Sequence, residues 1–376
     1  MTSKDKSKFL IIQIYLHIFT RILFFLSFLY LFGASFFCLD LYPRIENMQF
    51  SVIIPVFNRP DEVDELLESL TKQTYRQFEV IVVEDGSTRK CDKVVNKYHE
   101  KLSVVYFEKP NSGPGLSRNA GAEKAKHEYL VFFDSDCIIP ENYFHEVNRF
   151  LSDHYVDAYG GPDRALPTFT TVQKAINYSM TSFFTTGGIR GGKKSMDKFH
   201  PRSFNLGVSR KAFEAIGGYG SMRFGEDIDF SLRLLEHGFT TALIPEAFVY
   251  HKRRADFKKF YKQVYNSGIA RVNLYLAHPS SLKLVHLLPS LFVVAMCFFV
   301  LSSFICPYAL FIPFLYCMAV FVDSSVQNRS IKVGLYSIVA AWTQLFGYGL
   351  GFLSAVWNRL ILKKGEFGAF EKKFYE

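Results

Sequence analysis

The chain has 376 residues, room for about two domains. Its composition is 49% hydrophobic and 17% aromatic, with 44 Lys+Arg against 35 Asp+Glu for a net charge of +9. That balance excludes an acidic solvating protein and leaves nucleic acid, a membrane surface or phosphorylated ligands as partners. The six cysteines show no C-x-x-C or metal-finger spacing, which excludes a disulfide framework and points to a reducing cytosol for the polar part of the chain.

Phe9–Leu39 is apolar, and Ile22–Leu39 carries no charge, about enough for one membrane helix. The run is too long for a signal peptide and no small-x-small cleavage site follows it. Residues 1–47 therefore read as an apolar anchor or interfacial segment, with translation from Met48 as the alternative.

From Phe50 onward strands and helices alternate. Ser51–Phe57, Phe78–Val83, Val104–Phe107 and Tyr129–Phe133 are short β-rich runs at the spacing of successive βα units in a parallel sheet. Between the first two, Val63, Leu66, Leu67 and Leu70 fall at i, i+3, i+4, i+7 behind Pro60-Asp61, the pattern of an amphipathic helix with a start signal.

The fourth run leads straight into Asp134-Ser135-Asp136. In extended chain two carboxylates at i and i+2 share a side, and hard oxygen ligands suit Mg²⁺ or Mn²⁺ carrying a phosphate. The pair also fits an ordinary surface loop, but α/β sheets bind ligands at the carboxyl ends of their strands.

Beyond the polar middle, Phe257, Phe260, Tyr261, Val264, Tyr265, Gly268 and Ile269 follow helical spacing with lysines opposite. Residues 256–283 therefore read as an amphipathic helix lying on anionic lipid, and the adjoining membrane segment argues against nucleic acid. Residues 284–358 read as transmembrane helices: Leu284–Val322 as a hairpin broken near Pro307, then Ile331–Trp357. The basic tail, residues 359–376, favours the cytoplasm and an even number of crossings, whereas a hairpin plus one span gives three. Sequence alone leaves that conflict standing.

Five segments occur in order: Ser51-Val-Ile-Ile-Pro-Val-Phe-Asn58, Val83-Glu-Asp-Gly-Ser87, Asn111-Ser-Gly-Pro-Gly-Leu-Ser-Arg-Asn-Ala-Gly121, Phe133-Asp-Ser-Asp136 and Gly225-Glu-Asp-Ile-Asp-Phe-Ser-Leu-Arg-Leu234. Together they resemble the family 2 glycosyltransferases. The resemblance covers residues 48–255 and implies an α/β, Rossmann-like GT-A nucleotide-diphosphosugar transferase domain, followed by membrane helices. It further implies inverting transfer from a nucleotide-sugar donor, UDP-linked by this reading, to a lipid-linked or membrane-delivered glycan acceptor. Pro55 and Asn58 belong by this resemblance to the donor site, and Asp85 to recognition of the base. Arg118 would meet the diphosphate, and Asp134 the ribose or the metal. Asp136 would ligate Mn²⁺ or Mg²⁺, with His251 as a third ligand that favours Mn²⁺. Asp227 resembles the general base, with Glu226 its neighbour.

Thr185–Lys194, rich in Gly and basic residues, reads as a lid or a surface loop. Processive members carry Gln-x-x-Arg-Trp, but here Gln263 is followed by Val-Tyr-Asn266, so a single-addition enzyme is expected. Its partners would include membrane lipids. Nucleotide sugars are cytosolic, so the expectation is an integral protein of the cell membrane with its catalytic domain facing the cytoplasm. The rivals are a processive polysaccharide synthase and a catalytically silent scaffold that binds glycan or lipid.

Overall fold

The computed structural model describes residues 47–166, 168–187, 199–222 and 224–367. The expectations for the apolar head, for the end of the basic tail and for most of the Thr185–Lys194 segment fall outside them.

Four parallel strands form the centre: β1 (Phe50–Val56), β2 (Phe78–Asp85), β3 (Val104–Lys109) and β4 (Tyr129–Phe133). They read as near-continuous apolar runs because helices cover both faces. Alternate side chains sort to opposite sides. Val52, Ile54, Val82, Val131 and Phe133 meet α1 (Pro60–Thr71) in one core. Ile53, Ile81, Val83, Leu130 and Phe132 face the other core. The α1 face is the one its periodicity implies, with Val63, Leu66, Leu67 and Leu70 buried.

The remaining elements of this domain are, in order, α2 (Asp92–Asn96), α3 (Pro114–Lys124), β5 (Cys137–Ile138), α4 (Tyr143–Asp153), β6 (Ala158–Gly160), β7 (Asp163–Arg164), α5 (Thr171–Thr181), α6 (Phe183–Thr186), β8 (Asn205–Ser209), α7 (Arg210–Ala215), α8 (Glu226–Glu236), β9 (Thr241–Leu243) and β10 (Val249–His251). The main sheet runs β3-β2-β1-β4-β8-β6-β9, with β8 antiparallel to β4. Strand order reverses at β1, which lies between β2 and β4, so a crevice opens at their carboxyl ends. A small sheet, β5-β10-β7, sets His251 opposite Cys137 at the edge of that crevice.

Helices α9 (Phe257–Ala277), α10 (Leu288–Ser302), α11 (Phe311–Asn328) and α12 (Ile331–Ala355) follow. Among the described residues, three stretches are long and apolar enough to cross a membrane: Leu284–Ser302, Pro307–Asn328 and Ile331–Ile361. They are not equivalent, since 44% of the third is buried within the protein against 17% of each of the others.

The structure corrects the reading of α9. Its apolar face does not lie open to lipid: Phe260 and Val264 pack with Val333 and Ala340 of α12 and with Ala175 and Ile176 of α5. Ile269 and Val272 pack with Phe352 and Ala355. The approach is close enough that a Cβ on Gly268 would stand 2.2 Å from the Tyr348 carbonyl oxygen, so the two backbones touch. Amphipathic spacing marks a buried face without saying what buries it.

Candidate active site

One cavity of about 1270 Å³ opens at the crevice, and its lining includes Pro55, Arg118, Asp134, Asp136, Glu226, Asp227 and His251. Asn58 and Asp85, also expected in the donor site, do not line it.

Asp134 and Asp136 leave β4 in a turn rather than in extended chain, Cys137 N donating to the Asp134 carbonyl at 3.1 Å. The same-side argument for an extended i, i+2 pair therefore does not apply, yet the turn still delivers both carboxylates to the cavity. The Asp134 Oδ1 accepts from Arg118 at 2.6 Å, and Arg118 reaches the Glu226 Oε1 at 3.4 Å. With its guanidinium buried between two carboxylates, Arg118 stays charged.

Asp136 is buried. Its Oδ2 accepts from Arg59 at 3.0 Å, and its Oδ1 lies 3.0 Å from His251 Nε2. Burial alone would raise the Asp136 carboxyl, but the His251 ring, with Arg59 and Arg254, outweighs it and holds the group well below the usual carboxylate range. Burial pulls His251 down, while Asp136 and Asp134 more than restore it, leaving the ring above its ordinary value. The ring stacks on Phe204 with centroids 4.9 Å apart.

The His251–Asp136 contact lacks hydrogen-bond geometry, and Asp136 Oδ1 and His251 Nδ1 are both buried without a hydrogen-bond partner. An orphaned carboxylate oxygen beside an imidazole nitrogen is a donor set that fits Mn²⁺ or another borderline divalent ion. Cys137 is the third member of this cluster. Burial and the neighbouring carboxylates push its thiol far up, so it stays neutral, and its Sγ lies 3.5 Å from the Phe204 carbonyl.

At the far wall α8 begins with Glu226 and Asp227. Arg202 Nε donates to the Asp227 Oδ2 at 2.5 Å, and Asp227 Oδ1 accepts from Ile228 N at 2.9 Å, which fixes the orientation of the carboxylate. Burial, then the charge of Asp227, pushes the Glu226 carboxyl up to about 7. Gly225 precedes them at φ +85, and a Cβ there would meet Leu274 Cδ1 at 3.1 Å and Ala270 Cβ at 3.3 Å. The entry to α8 thus rests directly on α9.

Asp85 organises the neighbouring loop. Its Oδ1 accepts from Ser112 N at 2.9 Å and Lys109 Nζ at 2.6 Å, and its Oδ2 from Gly113 N at 2.8 Å, so it holds the entry to α3. Asn58 does similar work at φ 58, its Oδ1 accepting from Thr88 N and Arg89 N, each at 2.9 Å.

Sequence reasoning missed Arg59 and Arg202. Arg59 directly follows the first of the five segments, and that adjacency was a usable signal. Arg202 lies far from any motif and reaches Asp227 only through the fold.

A mostly parallel α/β sheet whose strand ends present paired carboxylates, a buried arginine and an acidic helix start defines a Rossmann-like GT-A nucleotide-diphosphosugar transferase domain. The comparisons agree. The family described as Glycosyl transferase family 2 matches residues 51–217. An uncharacterized glycosyltransferase of Haemophilus influenzae is 32% identical over 216 residues, covering 54% of this chain and 69% of that one. The chain belongs to the family 2 glycosyltransferases. Poly(ribitol-phosphate) beta-N-acetylglucosaminyltransferase TarS of Staphylococcus aureus is 39% identical over 114 residues, but these are 29% of this chain and only 20% of TarS. Among solved structures, the mannosyltransferase PcManGT from Pyrobaculum calidifontis, in complex with GDP-Man and Mn²⁺, superposes with a TM-score of 0.58 at 18% identity, over 87% of this chain and 96% of that one. That likeness concerns the fold.

Proposed function

We propose that this glycosyltransferase moves one sugar, with inversion, from a UDP-linked donor to a lipid-linked or membrane-delivered glycan acceptor at the cytoplasmic face of the cell membrane. The observation that carries this reading is the single cavity that gathers Arg118, Asp134, Asp136 and His251 with Glu226 and Asp227. The sequence likeness to TarS supports a nucleotide-linked amino sugar as donor, and the three long apolar helices support the membrane setting.

In this mechanism Arg118, held between Asp134 and Glu226, orients the donor diphosphate with its fork of N–H groups. Asp136 and His251, with Asp134, would hold a divalent cation, Mn²⁺ or Mg²⁺, which when bound would supply positive charge to neutralise the leaving diphosphate. Asp227, oriented by Arg202, takes the proton of the attacking acceptor hydroxyl. Proton transfer of this kind contributes about 10²–10⁴ in rate.

The test is nucleotide release by the full chain in nanodiscs, over a panel of nucleotide sugars, with Mn²⁺ or Mg²⁺ and with chelator. One donor should turn over, metal-dependently. Asp136→Ala should abolish that turnover, and Asp227→Asn should lower kcat by about 10²–10⁴ with donor binding unchanged. Metal-independent turnover would sink the role of Asp136 and His251, and parallel loss of donor binding in Asp227→Asn would sink that of the base.

A further inference from the structure

We propose that the half of the cavity formed by α9 to α12 is an acceptor subsite for a phosphate-bearing amphiphile, with the phosphate on Arg271 and hydroxyl groups of the ligand on the acceptor oxygens of Asn266 and Gln344. The proposal deepens the glycosyl-transfer reading and rests on it. Gln263, Asn266, Ser267, Ala270, Arg271 and Leu274 all line the cavity, and their spacing is that of one helical stripe. This stripe differs from the apolar one that packs on α12, so α9 has two working faces. Ala270 and Leu274 pack against Gly225, which places the stripe one residue from Glu226 and two from Asp227.

The chemistry of this half is one-sided. All four carboxylates of the lining (Asp134, Asp136, Glu226 and Asp227) belong to the α/β domain, whereas α9 and the turn before α10 contribute Lys259, Lys262, Arg271 and His286. Among the described residues no carboxylate pairs with Arg271. Its Nε is buried without a hydrogen-bond partner, as are Asn266 Oδ1 and Gln344 Oε1. Buried polar groups are ordinarily satisfied, so three orphans on one wall mark a place where a ligand completes the bonding. A guanidinium takes phosphate oxygens in a fork, and the amide side chains of Asn266 and Gln344 can serve the hydroxyls beside them. Leu288, Phe292, Tyr316 and Leu345 supply an apolar wall for a hydrocarbon chain.

The experiment titrates the full chain in neutral maltoside micelles with dodecyl phosphate by calorimetry, with UDP titrated separately. Dodecyl phosphate should bind the wild type at least tenfold more tightly than it binds Arg271→Gln, with UDP affinity the same in both. Equal binding of dodecyl phosphate to Arg271→Gln, with UDP binding intact, would overturn the subsite. Glycerol 3-phosphate bound as tightly as dodecyl phosphate would overturn the amphiphile and substitute a soluble polyol phosphate. Failure of the wild type to bind UDP would instead strike the glycosyl-transfer reading.

Independent contacts carry a second inference: α10 and α11 form a hairpin that enters one leaflet of the bilayer, and α12 lies along the catalytic domain without crossing. The start of α12 packs on α5 and its end on the last turns of α9, with Arg359 Nε donating to the Asn273 Oδ1 at 3.1 Å. Were α12 to cross, α9 would carry Lys258, Lys259, Lys262 and Arg271 into hydrocarbon with it, a costly burial of charge. The far end of α11 returns to the same domain, where Tyr178 donates to the Asp323 Oδ2 at 2.6 Å. Between the hairpin helices, Ser303–Leu310 carries no charge, and Phe304, Ile305 and Tyr308 are 84%, 91% and 86% exposed, a tip suited to lipid rather than water. Past Pro289, which rests on Gly349, α10 continues to Ser302 for about 20 Å, short of the roughly 30 Å of a hydrocarbon core.

Single-cysteine variants of the full chain in liposomes test this with a membrane-impermeant maleimide. Arg89→Cys, Arg329→Cys and Lys364→Cys should label from one and the same side, and a sole Cys306 from neither side until detergent is added. Labelling of Cys306 from the opposite face, or of Lys364→Cys from the face opposite Arg89→Cys, would overturn the arrangement.

Discussion

Asn58 holds a left-handed conformation, φ 58, that few side chains tolerate, and its Oδ1 binds Thr88 N and Arg89 N. Its own N donates to Ser87 Oγ at 2.7 Å, so one residue ties the end of β1 to the loop after β2. Alanine there would give up both amide bonds and meet the left-handed penalty, about 2 kcal/mol together, whereas glycine would lose the bonds alone, about 1 kcal/mol. Thermal unfolding should therefore rank wild type above Asn58→Gly above Asn58→Ala, and equal midpoints would show that the loop does not need the staple. The motif containing Asn58 was legible as a motif, but not the duty of the residue. A sequence pattern records that a position is special, and the fold adds the loop bonds that the position makes. Asp85 makes comparable loop bonds, its two oxygens accepting from Lys109 and from the amides ahead of α3.

Among elements, α8 and α9 are tied by His278, whose Nε2 lies 2.8 Å from the Asp229 Oδ1 and whose Nδ1 lies 2.9 Å from the Glu236 Oε1. Burial lowers the His278 ring, but the hydrogen bonds and charges of Asp229 and Glu236 more than compensate, leaving it above its ordinary value of 6.5. A base raised on folding stabilises fully below its unfolded pKa, and loses that contribution as pH rises through the folded value. His278→Gln should therefore lower the unfolding midpoint most near about pH 6, with the gap narrowing toward about pH 9. A gap independent of pH would mean that the ring acts only as a neutral spacer.

The elements legible in the sequence are those whose signal is local. The four parallel strands and α1 announce themselves by apolar runs and by i, i+3, i+4, i+7 spacing. The strands β5, β7, β9 and β10 have two or three residues each and exist only through distant pairing, as in His251 with Cys137. No window of sequence holds that information. Amphipathicity in α9 was legible, but its apolar stripe belongs to α12 and its polar stripe to the cavity.

At the scale of the molecule, the catalytic domain and the apolar helices share packing along the whole of α12, from Val333 against α5 to Ala355 against α9. The tail is thus a structural floor for the catalytic domain, and with α12 lying flat as proposed the parity conflict of the apolar stretches eases. The contact of Gly225 with Ala270 and Leu274 makes this floor a gauge. With no side chain to act as a spacer, the entry to α8 sits at one height above α9, and Asp227 two residues on is held at that height too. With Asp227 as the proposed base, an acceptor hydroxyl would have to arrive at that level to meet the carboxylate. Once a sugar has been added, the new terminus stands one ring further out, and a floor of fixed height offers nothing to draw the product back. The reaction would then stop by geometry after a single step, with no need of a signal in the glycan itself.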